Sequence, residues 1–143
     1  MGLYTYQLQT EFRVSEKRCA EMLEALKEAM IETSGELLRG GERHGDEIVN
    51  FFAFINHDEV LNAVNLEEAL YHCRWSSEFD EEGNIIDINF NGQKIGNEDI
   101  LFQIIAPFVE ANSYIIMVND QREIWRWRFD GQRCHKESGK IIF

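Results

Sequence analysis

Near the C-terminal end, Trp125-Arg126-Trp127-Arg128-Phe129 comes closest to a binding chemistry written in residue type and spacing. Guanidinium groups clasp phosphates or carboxylates, and indole rings stack on unpaired bases. In a strand, however, neighbouring side chains point to opposite faces. Trp125, Trp127 and Phe129 therefore face one way, and Ile124, Arg126 and Arg128 the other. One ligand cannot use both sets, so the expected arrangement is an aromatic core face and a basic outer face that pairs with nearby carboxylates. Arg122 and Arg133 extend the basic cluster, and together with Arg126 and Arg128 they offer the alternative of a single-stranded nucleic-acid binder.

The acidic residues are the second chemical feature. The 143-residue chain carries 26 Asp and Glu against 14 Lys and Arg, a formal charge of −12. Residues 1–120 hold 8 basic against 23 acidic residues, whereas residues 121–143 hold 6 against 3. A body of that sign repels the phosphate backbone, which argues against duplex DNA as a direct partner. It suits a basic protein surface, including one that normally holds nucleic acid. Asp58, Glu59, Glu67, Glu68, Glu78, Asp80, Glu81 and Glu82 are the candidate partner-binding acids, and a nucleic-acid mimic would gather them on one face.

Other motifs fall short of a chemistry. The loop containing Arg39, Gly40, Gly41, Glu42, Arg43, His44 and Gly45 lacks the Gly-x-x-x-x-Gly-Lys-Ser/Thr spacing of a phosphate cradle. His72-Cys73 and Cys134-His135 are adjacent pairs whose members point apart in a strand, so each offers one ligand to a common metal and leaves a zinc site incomplete. The turn carrying Glu78, Asp80, Glu81 and Glu82 lacks the alternating ligands of an EF-hand. No nucleophile elbow, catalytic Cys-His pairing or dinucleotide fingerprint occurs. The reading is a non-enzymatic chain with no catalytic residues, cofactor or metal.

The elements that position these residues follow from periodicity. Residues 3–14 alternate and are rich in Tyr, Thr and Phe, which predicts a strand. Ser15 caps a helix whose stripe is Cys19, Met22, Leu23, Leu26, Ala29 and Met30, with Val14 and Cys19 as a hydrophobic staple, ending near Thr33-Ser34-Gly35. Residues 35–46 are glycine-rich and read as a loop; residues 48–55 fit either a strand or a buried helix. Residues 58–64 and 66–72 form short helical turns, the second capped by Asn65. Residues 73–79 and 84–90 form a hairpin, with Ile86, Ile88 and Phe90 on one face. Asn91-Gly92 is a strong turn signal. Asn97 caps a helix burying Ile100, Leu101, Ile104, Ile105 and Phe108, which Pro107 ends. The closing strands span residues 114–118, 124–129 and the segment after Asp130-Gly131, a step that favours a two-residue type I′ turn.

That order predicts one α+β domain over residues 1–143. Its core is a ferredoxin-like βαββαβ unit, with helices mainly on one face and an antiparallel sheet extended by a C-terminal hairpin. No apolar run approaches the roughly 20 residues of a membrane-spanning helix. The opening Met-Gly-Leu-Tyr-Thr-Tyr-Gln has neither the basic nor the apolar region of a secretory signal, and Tyr6 stands where myristoylation needs Ser or Thr. Three widely spaced cysteines form no disulfide framework. The expected setting is cytoplasmic, with no membrane partner.

The motifs Asn65-Leu66-Glu67-Glu68-Ala69-Leu70, Gly83-Asn84-Ile85-Ile86, Ile105-Ala106-Pro107-Phe108-Val109-Glu110 with Ser113-Tyr114-Ile115, and Ile124-Trp125-Arg126-Trp127-Arg128-Phe129 carry a resemblance. Over residues 65–143 the chain resembles small uncharacterised ferredoxin-like proteins of bacteria, prophages and other mobile elements. The resemblance implies a fold and a genomic setting, and brings no catalytic residues with it. Small acidic phage proteins, anti-CRISPR proteins among them, often occupy the basic nucleic-acid channel of a host complex, with carboxylates standing in for phosphates. A protein-binding inhibitor of that kind is the leading expectation; an unrecognised small enzyme, which would need a deep pocket, is a further alternative.

Overall fold

The computed structural model describes residues 3–31 and 54–142. Strand β1 (Thr5–Glu11) runs into Phe12 and Val14, both fully buried. Ser15 then opens helix α1, residues 16–31. Its Oγ accepts a hydrogen bond from Lys17 N at 3.4 Å and its carbonyl one from Arg18 N at 2.9 Å, partners that a helix start otherwise lacks. Met22, Leu26 and Met30 are buried along the predicted stripe, with Cys19 and Leu23 packed beside them. The predicted end of this helix, the glycine-rich loop and nearly all of the 48–55 segment lie outside the described residues.

Helices α2 (His57–Leu61) and α3 (Leu66–His72) each start on an asparagine side chain, Asn56 accepting from Glu59 N and Asn65 from Glu68 N. α3 leads into β2 (Trp75–Phe79), which pairs antiparallel with β3 (Ile85–Phe90). The register slips where Glu78 opposes Asp87 and Phe79 opposes Ile85, so Ile86 is the extra residue of a bulge. Ile86 turns outward instead of sharing a face with Ile88 and Phe90, and Ile85 takes the buried position. Asn91-Gly92 makes no hairpin, and Gly92 does not use positive φ. Its missing side chain serves close packing: a Cβ there would stand 2.6 Å from Arg74 Nη1 and 2.7 Å from Phe90 Cζ.

Helix α4 (Glu98–Ile105) passes into a 3₁₀ turn, Ala106–Phe108, that contains Pro107. Its buried stripe is Glu98, Leu101, Phe102 and Ile105; Ile100, Ile104 and Phe108, expected inside, are only partly buried. The helix is rotated relative to the expectation because an acidic residue occupies an inward position. Strands β4 (Tyr114–Asn119), β5 (Ile124–Phe129) and β6 (Cys134–Ser138) then form an antiparallel meander. The last turn centres on Gly131 (φ 95°) and Gln132, not on Asp130 and Gly131. Asp130 belongs to the closing pair, its N–H donating to Arg133 O at 3.0 Å and its carboxylate accepting from Gln132 N and Arg133 N.

The result is a mixed α+β fold whose ladders form two antiparallel sheets, β1-β4-β5-β6 and β2-β3. The single ferredoxin-like sheet expected from element order is not what the ladders form. The interruption lies between β1 and β3, where β1 bulges at Leu8 (Gln7 opposes Met117 and Gln9 opposes Ile116). There the Gln7 side chain stands in for backbone pairing. Its Nε2 donates to Ile88 O at 2.8 Å and its Oε1 accepts from Phe90 N at 2.7 Å. Isolated antiparallel bridges, Tyr4 with Lys94 and Val14 with Ile85, flank this seam.

Both sheets and α4 meet in one aromatic cluster. Phe102 lies 4.8 Å from Trp127, 5.2 Å from Trp75 and 5.8 Å from Phe129, centroid to centroid and edge to face. Edge-to-face contact sets the positive ring edge against the negative ring face, adding to the area that burial removes from water.

Candidate functional site

The β5 stripe divides as strand alternation requires. Trp127 and Phe129 are buried, Trp125 is partly buried, and Arg126 and Arg128 lie on the outer face. Glu137 of β6 sits directly opposite Arg126. Its carboxylate accepts hydrogen bonds from Arg126 Nε at 2.9 Å and Arg128 Nε at 3.0 Å, and Arg126 Nη2 lies 2.8 Å from it as an ion pair. Those hydrogen bonds hold the Glu137 carboxyl below the usual glutamate range. His135 Nε2 lies 2.7 Å from Asp130 Oδ2, and this bond, with the backbone amides of Arg133 and Gln132, holds the Asp130 carboxyl well below its usual range. Arg122 occupies the β4–β5 turn with φ 66°, and Arg133 the β5–β6 turn at the other end of β5. The four arginines therefore form no single cluster.

The eight candidate acids lie on α2 (Asp58, Glu59), α3 (Glu67, Glu68), β2 (Glu78) and the following loop (Asp80, Glu81, Glu82). Three of them serve the fold. Asp80 accepts from the backbone of Glu82 and Asn84 and from Asn84 Nδ2 at 3.0 Å, and the Asn84 side chain is the chief cause of its depressed pKa. Glu59 lies 3.3 Å from His72, and Glu78 accepts from Asn89 at 3.1 Å. The side chains of Glu67, Glu68, Glu81 and Glu82 have no hydrogen-bond or ion-pair partner among the described residues, whereas Asp58 interacts electrostatically with His57. The loop bearing Glu81 and Glu82 is held on the start of α1, where Glu16 N donates to Asn84 Oδ1 at 2.8 Å.

Between α3 and β2 lies an open cavity of about 330 Å³, lined among the described residues by Asn65, Glu67, Glu68, Tyr71, Ser76 and Ser77. The spacing of Glu67, Glu68 and Tyr71 places them on the side of α3 away from its buried residues Leu66, Ala69 and Leu70. Ser77 is only 8% exposed, and its Oγ has no hydrogen-bond partner. Sequence reasoning singled out the two glutamates and missed the serines, which carry no signature of their own.

It also missed the buried ion pair beneath this region. Arg74 Nη2 lies 2.9 Å from Glu98 Oε2, with side-chain exposures of 15% and 1%. Glu98 also accepts from Gly96 N at 2.7 Å and Trp75 Nε1 at 3.4 Å, while Arg74 Nη1 donates to Lys94 O at 2.7 Å. The guanidinium lies over the rings of Phe54 and Phe90. Arg74 holds φ at 77°, a left-handed conformation that this network maintains. A signal was present: Arg74 is the only lysine or arginine in residues 44–93.

Cys73 and Cys134 are buried and free, and burial pushes each thiol up to about 12, which leaves little nucleophilic thiolate. Among the described residues no three His, Cys, Asp or Glu side chains converge on a metal position, and no helix is long and apolar enough to cross a membrane. Comparison with protein-family models, curated proteins and solved structures finds no match.

Proposed function

We propose that this chain is a non-enzymatic binding module that presents the carboxylates of α2, α3 and the β2–β3 loop to a basic protein surface. One observation carries the reading. Four of the eight acids there, Glu67, Glu68, Glu81 and Glu82, are unpartnered among the described residues, while the Arg126 and Arg128 guanidiniums are held by Glu137. Unpaired carboxylates keep their field for an incoming cation. A partner that normally binds nucleic acid would exchange phosphate for carboxylate and release its counterions in the same way. The corresponding role is an inhibitor of the anti-CRISPR kind in the cytoplasm of a cell that carries a mobile element.

The accompanying fold assignment is a ferredoxin-like βαββαβ core with an added hairpin. Its support is the antiparallel sense of both isolated bridges between β1 and the β3 side, with Gln7 spanning the gap. The test of function is capture by the immobilised chain, at about 50 mM and about 500 mM salt. Binding lost at high salt, and lost in the Glu81→Lys, Glu82→Lys variant at low salt, is the expected result. Capture that ignores both salt and these charges ends the proposal.

The second reading is a single-stranded nucleic-acid binder. It rests on Arg126 and Arg128 sharing a sheet face, with Tyr114 opposite Arg128 across the β4–β5 ladder. Oligonucleotide retention that disappears in Arg126→Ala, Arg128→Ala would establish it, and no retention by the parent chain would end it.

A further inference from the structure

In an antiparallel sheet with helices on one side, alternation sends apolar residues to the core and polar residues to solvent. The inner positions of the four-stranded sheet obey that rule. Ile115, Met117, Trp127 and Phe129 are buried, and Phe102 of α4 packs on the last two. Its outer positions do not. Tyr6 and Leu8 of β1 are each 54% exposed, and beside them Ile116 and Val118 of β4 and Ile124 of β5 are only half-buried. The ladder registers set Tyr6, Val118 and Ile124 in one row across the sheet, with Ile116 and the bulged Leu8 next to it. Five neighbouring outward positions thus form an apolar band left to solvent, and a band of that kind marks a contact surface.

The rows beyond the band carry charge, and their order selects the occupant. Gln9, Ile116, Arg126 and Glu137 lie side by side, and next come Glu11, Tyr114, Arg128 and His135. An acid on β1 therefore stands across the width of the sheet from bases on β5 and β6. From this gradient we infer that the outer face of the β1-β4-β5-β6 sheet is a homodimer interface, covered by the same face of a second copy about a two-fold axis parallel to the strands. That axis lays β1 of each copy over β6 of the other, and β4 over β5. Glu11 then meets the second copy's His135 and Arg128, Tyr114 lies against its Arg128, and Val118 packs on its Ile124. Glu11 has no partner among the described residues, and Arg128 gives only its Nε to Glu137, which leaves its terminal nitrogens for a second carboxylate. An axis across the strands would set the arginines of β5 over one another, a like-charge contact. Face-to-face sheets about 10 Å apart interleave side chains of this size. A polyanion suits the face less well, because Glu137 holds both arginines and Glu11 closes the row. None of the eight acids assigned to a basic partner belongs to this sheet, so the dimer goes beyond the acidic-surface reading and is independent of it.

The experiment is sedimentation equilibrium of the full chain over a range of concentrations. Twice the chain mass is expected at about 100 μM, with dissociation on dilution. The dimer should persist at about 500 mM salt, since apolar contact is not screened whereas repulsion between two acidic bodies is. Leu8→Lys and Ile116→Lys should each weaken association about tenfold or more. Leu8 is exposed in a bulge, so its replacement should keep the urea midpoint of the parent and separates a lost interface from a lost fold. Charge reversal tests the axis. Glu11→Arg and Arg128→Glu should each weaken self-association, and a mixture of the two chains should restore the dimer, because each then offers the sign that the other lacks. A parent chain that stays monomeric at every concentration, a dimer indifferent to both lysine substitutions, or a mixture no tighter than its components would overturn the proposal. A monomer that retains an oligonucleotide through Tyr6 and Tyr114 would overturn it too, and would give the face to nucleic acid. Glu81→Lys, Glu82→Lys should leave the dimer intact, so failure here is distinct from failure of the capture by a basic surface.

Discussion

Glu137 on β6 and Glu67 on α3 are the same functional group placed under opposite conditions. Glu137 stands between two arginines of the neighbouring strand, accepts one hydrogen bond from each and forms an ion pair with both. Glu67 stands beside another unpaired carboxylate, over a cavity, with no cation near it among the described residues. Two of the six basic residues of the C-terminal segment are thus engaged by a carboxylate of their own hairpin, while Glu67 and Glu68 of α3 are left uncompensated among the described residues. Net charge of −12 is a property of the whole chain, but availability of charge is a property of place. An isolated ion pair on a sheet surface holds local geometry and contributes little else. Unpaired like charges held close together disfavour the free protein slightly and strengthen attraction to a cationic partner.

Both regions hang on the same interior, and the largest effects should come from there. Glu98→Ala removes the carboxylate that Arg74, Trp75 and Gly96 share, and leaves a guanidinium with side-chain exposure of 15% uncompensated. The expected loss of stability is roughly 3–5 kcal/mol, read from urea denaturation. The Arg74→Met, Glu98→Leu double variant should recover most of it, since two apolar groups bury without an orphaned charge. Trp127→Ala, at the other end, should lose a comparable amount, roughly 3–5 kcal/mol, by emptying the site between Phe102 and Trp75. Equal stability of Trp127→Ala and the parent would show that the stripe does not divide into core and surface faces.

A smaller effect tests how the two sheets are joined. Gln7→Ala deprives Ile88 O and Phe90 N of the amide that bridges β1 and β3. Leaving such groups without partners costs about 1–3 kcal/mol, and exchange protection of the Phe90 amide should fall with it. Gln7→Glu is the sharper variant, since it keeps the acceptor for Phe90 N and loses the donor to Ile88 O.

Much of this arrangement was legible in the sequence, and the failures share a cause. Ser15, Asn65 and the Met22–Leu26–Met30 stripe act locally, so their roles follow from spacing alone. The division of Trp127 from Arg126 follows from strand alternation. Ile86 escaped because a bulge resets the alternation, and nothing within residues 84–90 announces one. The inward face of α4 was misjudged because Glu98 counts as polar until Arg74, 24 positions earlier, is seen to neutralise it. Gln7 looked like an ordinary strand residue; its function depends on a seam formed with residues more than 80 positions away. Glu67 and Glu68 were visible as charges, while the cavity they line is formed by α3 and β2 together and has no signature in either segment.

The smallest expected effect separates the two settings of carboxylate most finely. Arg126→Ala should leave stability close to that of the parent chain, since the pair is solvent-exposed and screened. Its pH dependence nevertheless has a definite sign. The Glu137 carboxyl is depressed by Arg126 first and Arg128 second. A depressed carboxyl stabilises the fold above its unfolded pKa, and that contribution disappears as pH falls through the lower, folded value. The stability difference between the parent chain and Glu137→Gln should therefore narrow between neutral pH and about pH 3, below the ordinary glutamate range. In Arg126→Ala, Arg128→Ala the Glu137 carboxyl resonance should titrate at higher pH than in the parent. A carboxyl that titrates identically in both proteins would mean that the arginines do not hold it, and the contrast between Glu137 and Glu67 would then be one of geometry without electrostatic consequence.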